Sequence, residues 1–166
     1  GRDGEHIAAG TERGAAIRRA LSGRGRAAVR AVLPGGQEWA GAGPGERAMV
    51  FASSDGSIWA FQPRTGKPIW NFKMSRRGIN ITPVVENNVV YASQGEVTLD
   101  NRIMGSVVAI DAIGKGDITK TNAKWGPIKG IPAGKGSPLL VDGKLYIVDD
   151  GANLYTFDAE TGKQIG

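Results

Sequence analysis

Two stretches of this sequence resemble one another at a fixed distance. Thr82-Pro83-Val84-Val85-Glu86-Asn87-Asn88-Val89-Val90-Tyr91 matches Ser137-Pro138-Leu139-Leu140-Val141-Asp142-Gly143-Lys144-Leu145-Tyr146. Pro83 and Pro138 are 55 residues apart, as are Tyr91 and Tyr146, and Trp70 and Trp125 share the same offset. In each copy a strand starts just after a proline, where the missing N–H does no harm. A turn follows at Asn87-Asn88 or Asp142-Gly143, and a second strand ends in tyrosine. Phe51, 40 residues before Tyr91, is read as the matching residue of an earlier copy. A chain built from repeats of this kind folds by stacking its units, which excludes most single-core architectures.

The units are made of strands. Met49-Val50-Phe51-Ala52-Ser53 is rich in β-formers, Asp55-Gly56 favours a tight hairpin in which both residues take positive φ, and Ser57-Ile58-Trp59-Ala60-Phe61 returns as the partner strand. The Pro63-Arg64-Thr65-Gly66 turn leads into Lys67-Pro68-Ile69-Trp70-Asn71-Phe72. Three short strands in so few residues leave no room for a helix. The basic period is about 40 residues, stretched to 55 by two insertions in the middle copy, at Ser93 to Gly105 and at Ala109 to Trp125. A period near 40 with four short strands per unit predicts an all-β chain of β-propeller blades. About three four-stranded antiparallel blades are expected, at 48–73, 79–126 and 134–166, forming a partial propeller. Open sheet ends and unpaired edges favour self-association.

Residues 60–70, Ala60-Phe61-Gln62-Pro63-Arg64-Thr65-Gly66-Lys67-Pro68-Ile69-Trp70, resemble the quinoprotein-type (PQQ-like) repeat, whose pattern runs Ala-x-Asp-x-x-Thr-Gly-x-x-x-Trp. Gln62 departs at the Asp position. The second copy keeps Ala109, Asp111 and Trp125 but replaces its Thr-Gly turn by a longer loop. The third keeps Asp158, Thr161 and Gly162, has Thr156 for Ala, and reaches Gly166 where Trp is expected. The resemblance implies that Ala60, Thr65, Gly66, Trp70, Ala109, Asp111, Trp125, Asp158, Thr161 and Gly162 are blade-docking residues, with the Trp ring packed on the adjacent blade. A flat indole suits that place, because it buries much area and its N–H needs only one partner. Trp59, on a strand, is expected to pack between blades.

Two functional branches share this repeat. One is the quinone-dependent dehydrogenases of alcohols or sugars. The other is non-catalytic propellers, similar to the lipoprotein that assists outer-membrane protein assembly. The dehydrogenase branch implies an axial Trp stacked on pyrroloquinoline quinone, often against a disulfide, with calcium held by carboxylates and Asn. The chain has no cysteine. Its loop acids and amide, Glu96, Asp100, Asn101, Asp149 and Asp150, show no dedicated calcium spacing. The expectation is therefore a non-catalytic scaffold for protein interaction or recognition, with no cofactor, metal or catalytic residue assigned. A fragment of a pyrroloquinoline-quinone-dependent dehydrogenase with calcium is the alternative. Its partners are other blades or a protein, and the resemblance implies a periplasmic or secreted location.

Other chemistry has little support. The only histidine is His6, so a Ser-His-Asp triad is not expected. Gly130 to Ser137 imitates a phosphate loop without its spacing, and it precedes a strand rather than a helix. Arg76-Arg77 with Lys73 reads as an exposed turn, and Asn80-Ile81-Thr82 is a sequon followed by proline. No apolar run approaches the roughly 18 residues of a membrane span, and no secretory signal is visible at the N-terminus.

Composition changes near residue 47. Residues 1–47 hold eight Arg and no Lys, while residues 48–166 hold four Arg and nine Lys. Residues 1–47 are read as an Arg/Gly/Ala-rich tail, not necessarily native to the domain, with weak helical pieces at 11–21 and 27–33. The net charge of +5 is too small to predict a nucleic-acid partner.

Overall fold

The computed structural model describes residues 48–166 except residue 101. The helical pieces, His6 and the Arg-rich tail therefore lie outside the described residues, as does Asn101.

Among the described residues eleven strands form three sheets, and there is no helix. The first sheet is β1 (Met49–Ala52), β2 (Ser57–Phe61) and β3 (Pro68–Lys73), with β7 (Gly116–Asp117) beyond β3. The second is β4 (Val84–Glu86), β5 (Val89–Val97), β6 (Met104–Asp111) and β8 (Ala123–Lys129) in that order. The third is β9 (Leu139–Val141), β10 (Lys144–Val148) and β11 (Leu154–Asp158). Consecutive strands pair antiparallel because the connections are short turns. Gln164 bridges back to Phe157, so the residues after β11 begin a further strand on the third sheet.

Alternation sends every second side chain to the same face. From the first sheet Val50, Ala52, Ile58, Ala60, Trp70 and Phe72 meet Val90, Ala92, Val108 and Ile110 of the second. The opposite face of the second sheet, with Tyr91, Val107 and Ala109, meets Leu145, Ile147 and Phe157 of the third. The middle sheet is thus buried on both faces. Each large apolar side chain so enclosed contributes about 1.5–3 kcal/mol over its exposed state.

The register corrects two expectations. Tyr91 pairs with Ala109 and Tyr146 with Thr156, while the residue opposite Ala60 is Val50. Val50, not Phe51, is therefore the counterpart of the tyrosines. A one-residue slip reverses every side chain, and Phe51 accordingly lies on the other face, edge-on to Phe61 with ring centroids 6.0 Å apart. Secondly, Asp55-Gly56 is not a two-residue turn with both φ positive. The hairpin closes at Ala52 and Ile58, and of that pair only Gly56 has positive φ, at 84°. The two-residue turns are Asn87-Asn88 and Asp142-Gly143, where both residues have φ between 48° and 70°.

The insertion after Ala109 also has a specific destination. Gly116 and Asp117 run parallel to Trp70 and Asn71 at the edge of the first sheet. Ile118 is buried in the core between the first and second sheets, and Lys73 N–H donates to Thr119 Oγ1 at 2.9 Å. The first sheet therefore reaches four strands through a parallel pairing with a loop of its neighbour, not through four antiparallel strands of its own.

Candidate functional site

The two tryptophans singled out in the sequence, Trp70 and Trp125, lie at joints between sheets. At the first, Trp70 is 1% exposed and its indole N–H donates to the Ala112 carbonyl of the second sheet at 2.9 Å. At the second, the Trp125 N–H donates to the Ala159 carbonyl of the third sheet, also at 2.9 Å. Ala112 and Ala159 each follow the Asp of the repeat, Asp111 and Asp158. The Tyr91 hydroxyl donates to the same Ala159 carbonyl at 3.2 Å. No sequence signal marked these carbonyl acceptors.

The Asp-x-x-Thr-Gly turn builds the receiving surface. Asp158 Oδ1 accepts from Thr161 N–H at 2.8 Å and from Thr161 Oγ1 at 2.7 Å, and Gly162 N–H donates to the Asp158 carbonyl at 2.8 Å. Gly162 has φ 71°, and a Cβ there would stand 2.6 Å from Trp125 Cδ2. Glycine is required at this point both by the backbone and by the indole lying on it. Gln62 takes the Asp role in the first copy, accepting from Thr65 Oγ1, with Gly66 at φ 68°. In the second copy Asn122 substitutes for the missing glycine turn, its Nδ2 donating to the carbonyls of Asp111 and Ile113. Ala60 and Ala109 are fully buried opposite Trp70 and Trp125, where the small side chain leaves room for the ring.

No family model matches the sequence, and no curated protein matches it. Among solved structures, the chain is similar to BamB from Moraxella catarrhalis, at 16% identity and a TM-score of 0.53, over 72% of this chain and 32% of that one. It is also similar to the computationally designed Ika4 protein, at 11% identity and a TM-score of 0.51, over 78% of this chain and 65% of that one. A europium-containing methanol dehydrogenase matches at 15% identity and a TM-score of 0.48, over 85% of this chain and 27% of that one. This chain thus spans about a third of the BamB structure and just under two thirds of Ika4. Identities this low speak to the fold alone. These are β-propeller blades.

Several acidic groups of the blades are engaged by donors of the fold itself. Asp149 closes the β10–β11 hairpin, its carboxylate accepting from Gly151 N–H at 2.9 Å, Asn153 N–H at 2.8 Å and the Asn153 amide at 3.0 Å. The Asn153 side chain is the chief reason its pKa lies below the usual carboxylate range. Asp158 is lowered in the same way by Thr161, and Asp100 is held at about 2, first by Lys129 and then by Thr98. Asp150 accepts from the N–H groups of Gly134 and Lys135, both at 3.1 Å. The loop that imitates a phosphate cradle therefore spends these two N–H groups on a carboxylate of its own blade. Among the described residues no group of three or more His, Cys, Asp or Glu is placed to hold a metal ion.

Trp59 faces away from the second blade, stacked on Phe61 at 5.8 Å, and its N–H donates to Asp55 at 2.9 Å. Arg76 lies exposed and donates through Nε to the Leu99 carbonyl at 3.2 Å, tying the first blade to the long hairpin of the second.

A carboxylate with a depressed folded pKa stabilises the fold above its unfolded pKa of about 3.9 and loses that contribution as pH falls through the folded value. Asp149→Asn is therefore expected to lower the urea midpoint at pH 7. The gap to the parent should narrow as pH drops below about 4. A gap that stays constant from pH 7 to pH 2.5 would show that the charge of Asp149 is not what matters.

Proposed function

We propose that this chain is a non-catalytic propeller segment that serves as a scaffold for recognising another protein. One observation carries the reading. The carboxylates of Asp100, Asp149, Asp150 and Asp158 are engaged by donors of the fold itself, whereas the β5–β6 hairpin is extended and exposes Leu99, Ile103 and Met104 at its tip. An exposed apolar cluster on an extended hairpin suits contact with a protein surface better than it suits a small substrate. The hairpin is held from one side by the Ser75–Thr98 bridge and by Ser75 Oγ, which donates to the Val97 carbonyl at 3.2 Å. Its base is locked internally by buried Gln94, whose amide donates to Ser106 Oγ at 3.0 Å. The resemblance of the repeat to assembly-assisting propellers supports the same reading and, with it, a place outside the cytoplasm.

Pyrroloquinoline quinone with calcium, assayed by dye-linked oxidation of alcohols and sugars, provides the test. No saturable quinone uptake and no turnover are expected. Saturable uptake with turnover would replace the scaffold by a quinone-dependent dehydrogenase.

A further inference from the structure

Three Asp-Gly pairs lie among the described residues, at 55–56, 142–143 and 150–151. In such a pair the glycine has no Cβ to shield its backbone nitrogen from the carboxyl group before it. The fold holds two of the three in place. Asp55 accepts from Ser57 N–H through Oδ1 and from the Trp59 indole N–H through Oδ2, both at 2.9 Å, while Gly56 N–H donates to the Ser53 carbonyl at 3.1 Å. Asp150 Oδ1 accepts from the N–H groups of Gly134 and Lys135, and Gly151 N–H donates to Asp149 Oδ1 at 2.9 Å. In both pairs the carboxylate and the nitrogen are occupied. At 142–143 neither is. Among the described residues the Asp142 carboxylate and the Gly143 N–H have no partner, and both residues are exposed. The space that a Cβ on Gly143 would take is open. The matching turn of the second blade keeps Asn87 exposed although the third blade follows it, so a neighbouring blade does not cover this position.

We propose that Asp142-Gly143 is a site of spontaneous isoaspartate formation, and that the change loosens the joint between the second and third blades. The Gly143 nitrogen attacks the carbonyl carbon of the protonated Asp142 side chain. An N–C bond forms and the C–OH bond breaks. The hydroxyl leaves as water with the proton from the nitrogen, and a cyclic imide remains. Water then opens the ring. Attack at the side-chain carbonyl restores aspartate. Attack at the main-chain carbonyl leaves the chain running through the side chain, one carbon longer. The only co-reactant is water. A two-residue turn has no slack for that carbon. The Gly143 carbonyl accepts from Ala159 N–H at 2.9 Å, and the Ala159 carbonyl is the acceptor for Trp125 and Tyr91. A displaced Gly143 therefore acts directly on the joint. The proposal is independent of what the β5–β6 hairpin recognises.

The test incubates the full chain in mildly acid buffer at 37 °C, native or in guanidinium chloride. Isoaspartate is then located by peptide mapping, with an isoaspartyl methyltransferase as the labelling probe. In the native protein the label is expected in the peptide carrying residues 142–143 and not in those carrying 55–56 or 150–151. In denaturant all three peptides should be labelled, because the hydrogen bonds that set them apart are gone. Asp142→Glu would have to close a larger ring, so it should lose the native label while keeping the parent's urea midpoint before incubation. After incubation the parent should unfold at lower urea than Asp142→Glu. Native label spread evenly over the three pairs would overturn the site, as would its absence from 142–143. Equal urea midpoints for the labelled parent and Asp142→Glu would overturn the link to the joint.

Discussion

Replacing Trp70 by alanine is expected to cost about 3–5 kcal/mol of stability from lost burial and the cavity left behind. It should cost about 1 kcal/mol more from the Ala112 carbonyl that loses its donor. The ring is almost wholly enclosed between the first and second blades, with Ala60 beneath it. A domain of this size has a total stability of about 5–15 kcal/mol, so the variant should be largely unfolded near 37 °C. Trp70→Phe separates the two contributions. It keeps most of the buried ring and loses the N–H, and is expected to cost about 2 kcal/mol. Urea unfolding followed by far-ultraviolet circular dichroism reads both. A Trp70→Ala protein within about 1 kcal/mol of the parent would mean that the joint between these blades is not built on this indole.

Gly56→Ala is expected to cost about 3 kcal/mol or more, through positive φ and overpacking together. A Cβ at Gly56 would lie 2.2 Å from the Ser75 carbonyl oxygen and 2.7 Å from that of Arg77. Both obstacles are backbone, and Gly56 is also tied to that segment, since its carbonyl accepts from the N–H groups of Met74 and Ser75. The same turn recurs in the third blade with Ala152 in place of Gly56, at φ 65° and exposed. There the alanine is strained but unobstructed. Ala152→Gly should therefore stabilise the protein by about 1 kcal/mol. The pair gives opposite signs for exchanges at equivalent turn positions, read by the same thermal or urea unfolding. Equal signs would contradict this account of the two turns.

The repeat was legible where residue type and spacing recur together. The Pro83 and Pro138 strands and the positive-φ turns after them follow directly from the sequence. The side-chain to N–H geometry of Asp158 with Thr161 is a local property of neighbouring residues, and the resemblance brought out its motif. Matching an aromatic to an aromatic puts Phe51 with the tyrosines. The register instead places Val50 opposite Ala60, and a slip of one residue is invisible to composition. The carbonyls of Ala112 and Ala159 were missed because backbone acceptors leave no trace in residue type. The role of Gly116 to Thr119 was missed for a different reason. The insertion looked like a longer loop of its own blade, and nothing local announces that it pairs with a strand of another.

That pairing has a consequence for how the chain is made. Lys73 and Thr119 are 46 residues apart, so on a ribosome the first blade emerges well before the segment that completes its outer edge. Until then β3 presents an open hydrogen-bonding row, and its neighbour must be largely synthesised before that row is closed. Blades in a simple array mature one by one, each needing only the face of the next. Here the first and second must mature as a unit, and the interval between them is the period in which the nascent chain is most open to wrong pairing.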